Sequence, residues 1–64
     1  MRFNEGQRVR VLNLSGGIAP GELVTIIESE KHANVEIYKA SNGKTFAYFT
    51  PDMLEEVEVL PNDN

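Results

Sequence analysis

Thr50-Pro51-Asp52-Met53-Leu54-Glu55-Glu56-Val57-Glu58-Val59 is the stretch on which the fold turns. Read as one helix, it would pack on a four-stranded sheet; read as a turn and then a strand, it completes an all-β chain. Its first residues suit a helical start. Thr50 can accept a backbone N–H as a cap, and the fixed φ of Pro51 suits the first helical position. Beyond Leu54 the pattern changes, because Val57 and Val59 alternate with Glu56 and Glu58, the period of two of a strand with one buried face. The stretch therefore reads as a single 3₁₀-like turn followed by a short final strand.

Immediately upstream, Thr45 to Phe49 (TFAYF) reads as a strand whose pattern leaves two choices, Phe46 and Tyr48 inward or Ala47 and Phe49 inward. Ser41-Asn42-Gly43-Lys44 precedes it, and the Asn-Gly pair, which tolerates positive φ, marks a tight hairpin. Val35 to Lys39 alternates again, with Val35 and Ile37 expected on the core face, and Lys31-His32-Ala33 is expected to be the turn before it. Leu23 to Glu30 (LVTIIESE) is rich in β-branched residues and reads as a strand with Val24 and Ile26 inward and Leu23 and Ile27 partly covered. The segment Ser15 to Gly21 holds three glycines and a proline, so a long loop is expected. Gln7 to Leu14 (QRVRVLNL) is the clearest strand, Arg8 and Arg10 alternating with Val9 and Val11.

With 64 residues, the chain has room for one core and hence one domain, taken as residues 1–60 with a polar tail at 61–64. There are no cysteines to form disulfides or thiolate metal sites, so apolar packing and hydrogen bonds must hold the fold. No apolar run approaches the roughly 18 residues of a membrane span, and the opening MRFNEGQRVR lacks the apolar stretch of a signal peptide. A cytoplasmic protein without membrane contact is expected. On that ground the Asn13-Leu14-Ser15 sequon is read as coincidence.

The net charge of −4 is unevenly spread. Residues 1–50 carry all six basic groups and five acids, whereas residues 51–64 carry five acids and no base. Phosphate binders draw most of their affinity from Lys and Arg, so this balance argues against nucleic acid as the main partner.

The inventory also argues against an enzyme. There is one histidine, His32, no cysteine and no grouping of Ser, His and acid in a catalytic motif, so no catalytic residue, metal or cofactor is expected. Gly16-Gly17 and Gly21 lack the Lys-Ser/Thr ending and following helix of a phosphate-binding loop. Asp52, Glu55, Glu56 and Glu58 form the most biased segment. They are either a solvated edge that discourages strand-to-strand aggregation or a surface for a basic partner. Ile18 is either a lid on the core or an exposed apolar tip available to a partner. A second, basic candidate surface combines Arg8, Arg10, Lys39 and Lys44 with Tyr38, able to hold phosphates and stack a base. If the chain closes into a barrel, the acidic last segment lies beside the first strand and can neutralise its arginines.

The order of elements is strand, long loop, strand, turn, strand, tight hairpin, strand, one helical turn, strand. It resembles the SH3-like barrel family, in which a one-turn helix precedes the last strand. Gly6-Gln7-Arg8-Val9-Arg10-Val11 and Tyr48-Phe49-Thr50-Pro51-Asp52-Met53-Leu54-Glu55-Glu56-Val57 resemble the first and last segments of small bacterial and phage SH3-like proteins. The resemblance implies a five-stranded barrel and a small phage or prophage accessory protein. The superfamily's functions are diverse, and the chain has no Trp and no aromatic cluster in its first loop, so proline-rich peptide recognition is not carried over. The expected function is a non-enzymatic module that binds a protein partner. The alternatives are a nucleic-acid-associated domain or a structural assembly subunit.

Overall fold

A computed structural model describes residues 2–57. Five strands, β1 (Arg8–Val11), β2 (Leu23–His32), β3 (Val35–Ser41), β4 (Phe46–Phe49) and β5 (Leu54–Glu56), form one antiparallel sheet in the order β4-β3-β2-β1-β5. A 3₁₀ turn, Pro51–Met53, precedes β5. The chain is thus all-β, and residues 50–56 take the turn-and-strand course. Edge strands β4 and β5 are not paired with each other, so the sheet itself does not close.

The final strand begins earlier than the Val57/Val59 alternation suggests. Leu54 is already extended, at φ −130° and ψ 150°, and lies opposite Val11 with its side chain in the core. The Leu12 N–H donates to the Met53 carbonyl at 2.7 Å, tying the turn to the end of β1. Val57 follows half-buried, and Glu58, Val59 and the polar tail at 61–64 lie outside the described residues. The Thr50 side chain does not cap the turn. Its hydroxyl donates to Asp52 Oδ1 at 2.6 Å, and the Met53 N–H donates to the Thr50 backbone carbonyl at 3.0 Å rather than to the side chain.

Alternation is correct for β1 and the first half of β2, where Val9, Val11, Val24 and Ile26 are buried. Leu23 and Ile27 are more open than expected, at 40% and 41% exposed. On β3 the expected core face is reversed: Tyr38 and Ala40 are buried, while Val35 is 48% exposed. The reason is steric and electrostatic. Lys39 and Ser41 share the face of Val35 and Ile37, so burying that face would desolvate an ammonium group, whereas Glu36 alone burdens the other and sits at its open end. A bulge at Ile27 makes the reversal compatible with β2. Ile26 pairs with Ala40 but Glu28 with Lys39, and the extra residue bends the strand.

β2 runs on to His32, so the turn falls at Ala33-Asn34, where Ala33 adopts φ 56°. The Asn42-Gly43 hairpin forms as expected between β3 and β4. Gly43 has φ 95°, and Asn42 Oδ1 accepts the N–H groups of Lys44 and Thr45, both at 2.9 Å. On β4 the choice resolves to Ala47 and Phe49 inward and Phe46 and Tyr48 outward.

Two core residues come from outside the sheet. Phe3, in the arm preceding β1, is 3% exposed, and Ile18, in the glycine-rich loop, is fully buried. Ile18 is therefore a lid and not an exposed tip. Its N–H and that of Gly21 are taken by the carbonyls of Ser15 and Val11, so Gly21, one of the three loop glycines, has no free N–H to offer an anion. The loop also reaches β4: the Ser15 hydroxyl donates to the Tyr48 carbonyl at 2.8 Å, and Gly16 lies against Ala47.

Candidate functional site: an acid-rimmed cleft beside the last strand

The N-terminal arm, the segment just after β1, the 3₁₀ turn and β5 meet around an open cleft of about 440 Å³. Its walls include Phe3, Leu12, Pro51 and Leu54, and its rim carries Arg2, Asp52, Glu55 and Glu56. Three of the four acids singled out in the sequence thus converge on one concave surface, whose exposed apolar contribution comes chiefly from Leu12, since Phe3 and Leu54 are each 3% exposed. The fourth, Glu58, lies outside the described residues. Their convergence follows from the fold: the turn projects Asp52, and β5 leaves Glu55 and Glu56 exposed beyond buried Leu54. Leu12 is 42% exposed, because β1 ends at Val11 and the next side chain meets no opposing sheet.

The charges on the rim are partly matched. Arg10 and Glu55 stand directly opposite across β1 and β5 and pair at 3.2 Å, the cross-strand neutralisation expected from the sequence. Asp52 is held below its ordinary pKa, first by the Thr50 hydroxyl, then by its own backbone N–H and the positive charge of Arg2. It is therefore a carboxylate at neutral pH. Glu56 has no ion pair among the described residues.

The arm that forms one wall is fixed from beneath by Tyr38. Its hydroxyl accepts the N–H of Arg2 at 3.0 Å and of Phe3 at 3.2 Å, and donates to Glu36 Oε1 at 2.6 Å. Phe3 meets the Tyr38 ring edge-on at a centroid distance of 5.3 Å. Tyr38 is thus a buried anchor and is unavailable to stack a base, which corrects its assignment to a nucleic-acid surface. The sequence signal was present but unread: Lys39 next to it must face water, so Tyr38 must face inward.

The other basic candidates remain on the opposite, outward sheet face but do not form one patch. Arg10 is engaged with Glu55, and Arg8 lies opposite Thr25, which in turn lies opposite Ser41. Arg8 is therefore about 10 Å, two strand spacings, from β3. Lys39 places its ammonium 4.3 Å from the Phe46 ring centre, and Lys44 sits at the exposed tip of the β3–β4 hairpin. His32, at the exposed end of β2, contacts Glu30 at 2.8 Å. Among the described residues, no group of three or more His, Cys, Asp or Glu could hold a metal ion, and no helix is long and apolar enough to cross a membrane.

Three carboxylates have lowered pKa values, which fixes how the fold responds to acid. Glu22 is lowered first by the Ala19 N–H, then by the Asn42 amide, and Glu36 first by the Tyr38 hydroxyl; Asp52 is the third. A depressed folded-state value means that the unfolded chain takes up protons first as pH falls. The stability these groups contribute is complete above the ordinary carboxylate range, about pH 4, and is lost as pH falls through their folded values. Tyr38 is raised, by burial first and by Glu36 next, so its contribution is lost only as pH rises above about 10. The melting temperature should accordingly be flat near neutrality and fall on acidification below about pH 4, and Glu22→Gln with Glu36→Gln should flatten the acid limb. Unchanged acid sensitivity in that double variant, measured by thermal melts across pH, would refute the assignment.

Fold and cleft together define a small all-β protein with a single antiparallel sheet and an acid-rimmed concavity at one edge strand. No protein-family model, curated protein or solved structure matches the chain.

Proposed function

We propose that the chain is a non-enzymatic interaction module whose cleft receives a protein segment carrying Lys or Arg beside an apolar side chain. The convergence of Asp52, Glu55 and Glu56 around the walls formed by Phe3, Leu12 and Leu54 carries this reading. Leu12, 42% exposed, and half-buried Pro51 supply the apolar contact, because a partner side chain leaves water on meeting them, while Phe3 and Leu54, each 3% exposed, back the cleft from the core. The carboxylates, which remain solvated, supply orientation and rate of encounter more than binding energy.

The architecture behind the cleft is, in this reading, an SH3-like barrel closed by side chains and a loop. The β4-β3-β2-β1-β5 order, the bent β2, the 3₁₀ turn before β5 and the reach of Ser15 and Gly16 to β4 support it.

Panning a random peptide display library against the protein tests the cleft directly. Enriched peptides should share a basic residue next to Leu, Ile, Val or an aromatic. The Asp52→Asn/Glu55→Gln/Glu56→Gln variant should bind them about ten- to a hundredfold more weakly, since each exposed pair contributes up to about 1 kcal/mol. Enrichment of peptides without basic residues, or affinity unchanged in the triple variant, would refute the proposal.

A further inference from the structure

The outward face of β2, β3 and β4 carries a second surface that shares no residue with the cleft. Phe46 and Tyr48 are 49% and 56% exposed and meet edge-to-face at 6.1 Å. Beside them Tyr48, Ile37 and Lys39 line a shallow depression with Glu28 and Glu30. The position of Phe46 and Tyr48 is not a by-product of a poor core. Ala47 and Phe49 fill the inner positions, so the outer aromatics add nothing to the core and pack against each other and Lys39 on the surface.

The charges on this face have an unusual arrangement. Glu28 and Lys39 are directly opposed across β2 and β3, the register that favours a cross-strand pair. Among the described residues they form no ion pair; Lys39 lies over Phe46 instead. Both charges are thus available to a partner, on a surface whose centre is apolar and aromatic.

We propose that this face is the interface of a symmetric dimer, its occupant a second copy of the chain. A face that carries both signs side by side complements itself under a twofold rotation, in which Lys39 of each copy meets Glu28 or Glu30 of the other and aromatic meets aromatic. Neither a strand of phosphates nor a uniformly basic segment fits as well. Glu28 and Glu30 repel the first, and Lys39 repels the second. The half-exposed Phe46 and Tyr48 offer roughly 100 Å² each, so with their neighbours the apolar centre is a few hundred Å² per copy. An interface of that size sits at the small end of specific contacts, so the dimer is weak, with a dissociation constant in the micromolar range or above.

Sedimentation velocity of the whole chain over a wide concentration series tests this. The weight-average mass should rise towards twice that of the monomer. Phe46→Ser/Tyr48→Ser should stay monomeric at every concentration while still melting cooperatively, at a lower temperature because the Phe46–Tyr48 and Lys39–Phe46 contacts are lost but no core residue is touched. Lys39→Glu, which leaves only acids on the face, should be monomeric, and Glu28→Lys/Lys39→Glu, which exchanges the signs, should regain at least tenfold of the lost association. A monomer at all concentrations for the unaltered chain, or a dimer that persists in the serine double variant, would overturn the proposal. So would binding of fluorescent oligothymidine by a monomer in a manner that requires Phe46 and Tyr48, which would reassign the face to single-stranded nucleic acid. None of these results depends on the cleft.

Discussion

Gly16→Ala should destabilise the protein by about 3 kcal/mol, whereas Gly17→Ala, at the adjacent position, should cost only about 1 kcal/mol. Both glycines have positive φ, 55° and 86°, so both substitutions carry the backbone penalty of a side chain in that region. They differ in their surroundings. A Cβ on Gly16 would stand 2.6 Å from Ala47 Cβ and 3.4 Å from its Cα, and β4 cannot yield without disturbing Phe49, whereas a Cβ on Gly17 meets nothing within 4 Å. In a domain whose whole stability is on the order of 3–10 kcal/mol, the first change removes a large share. Its midpoint should fall by about 15 °C or more. Equal losses in the two variants, measured by thermal or denaturant melts, would mean that the loop does not close on β4 as described.

Tyr38→Phe should cost about 2 kcal/mol, although it removes a single oxygen. The aromatic contact with Phe3 survives in this variant; the acceptor for the Arg2 and Phe3 N–H groups does not, and Phe3 is buried. Glu36 loses its hydroxyl donor at the same time. Amide hydrogen exchange should accelerate at Phe3 well beyond any change at Ile26. Uniform acceleration at both positions, or none at Phe3, would contradict the role of Tyr38 as the anchor of the arm. Because that arm forms one wall of the cleft, peptide binding should weaken in this variant as well.

Local chemistry made much of the fold legible. Val9 and Val11 alternating with Arg8 and Arg10, the Asn42-Gly43 turn and the Thr50-Pro51 start each name one local structure; each forms, although the first strand is shorter than Gln7 to Leu14, spanning Arg8–Val11, and the turn lacks the Thr50 side-chain cap. The failures share a cause, which is that period-two alternation fixes two faces without saying which is buried. On β3, Val35 and Ile37 outrank Tyr38 and Ala40 in apolarity, yet Lys39 ties them to the wet face. On β4 two aromatics compete with an alanine and a phenylalanine. The answer depends on Gly16, about thirty residues earlier in the chain, which needs a small residue at Ala47 to seat against.

The candidate site was legible as a charge bias but not as a cavity. The excess of acids after residue 50 can be counted in the sequence. That Phe3 and Leu12 stand across from them depends on the pairing of β1 with β5, a contact between the two ends of the described chain. The basic surface fared differently. Its arginines and Lys44 are exposed and Lys39 is half-buried, but its aromatic, Tyr38, is inside, and the exposed aromatics, Phe46 and Tyr48, sit where the sequence left the facing of β4 open.

Chemical-shift mapping of the 15N-labelled protein with a peptide enriched by display is the most direct test of the cleft. The account predicts that the largest perturbations fall at Leu12, Asp52, Glu55 and Glu56, with Lys39 and Tyr48 unmoved, and that they vanish in the triple acid variant. Perturbations centred on the outer face of β3 and β4, or retained when the three acids are neutralised, would contradict it.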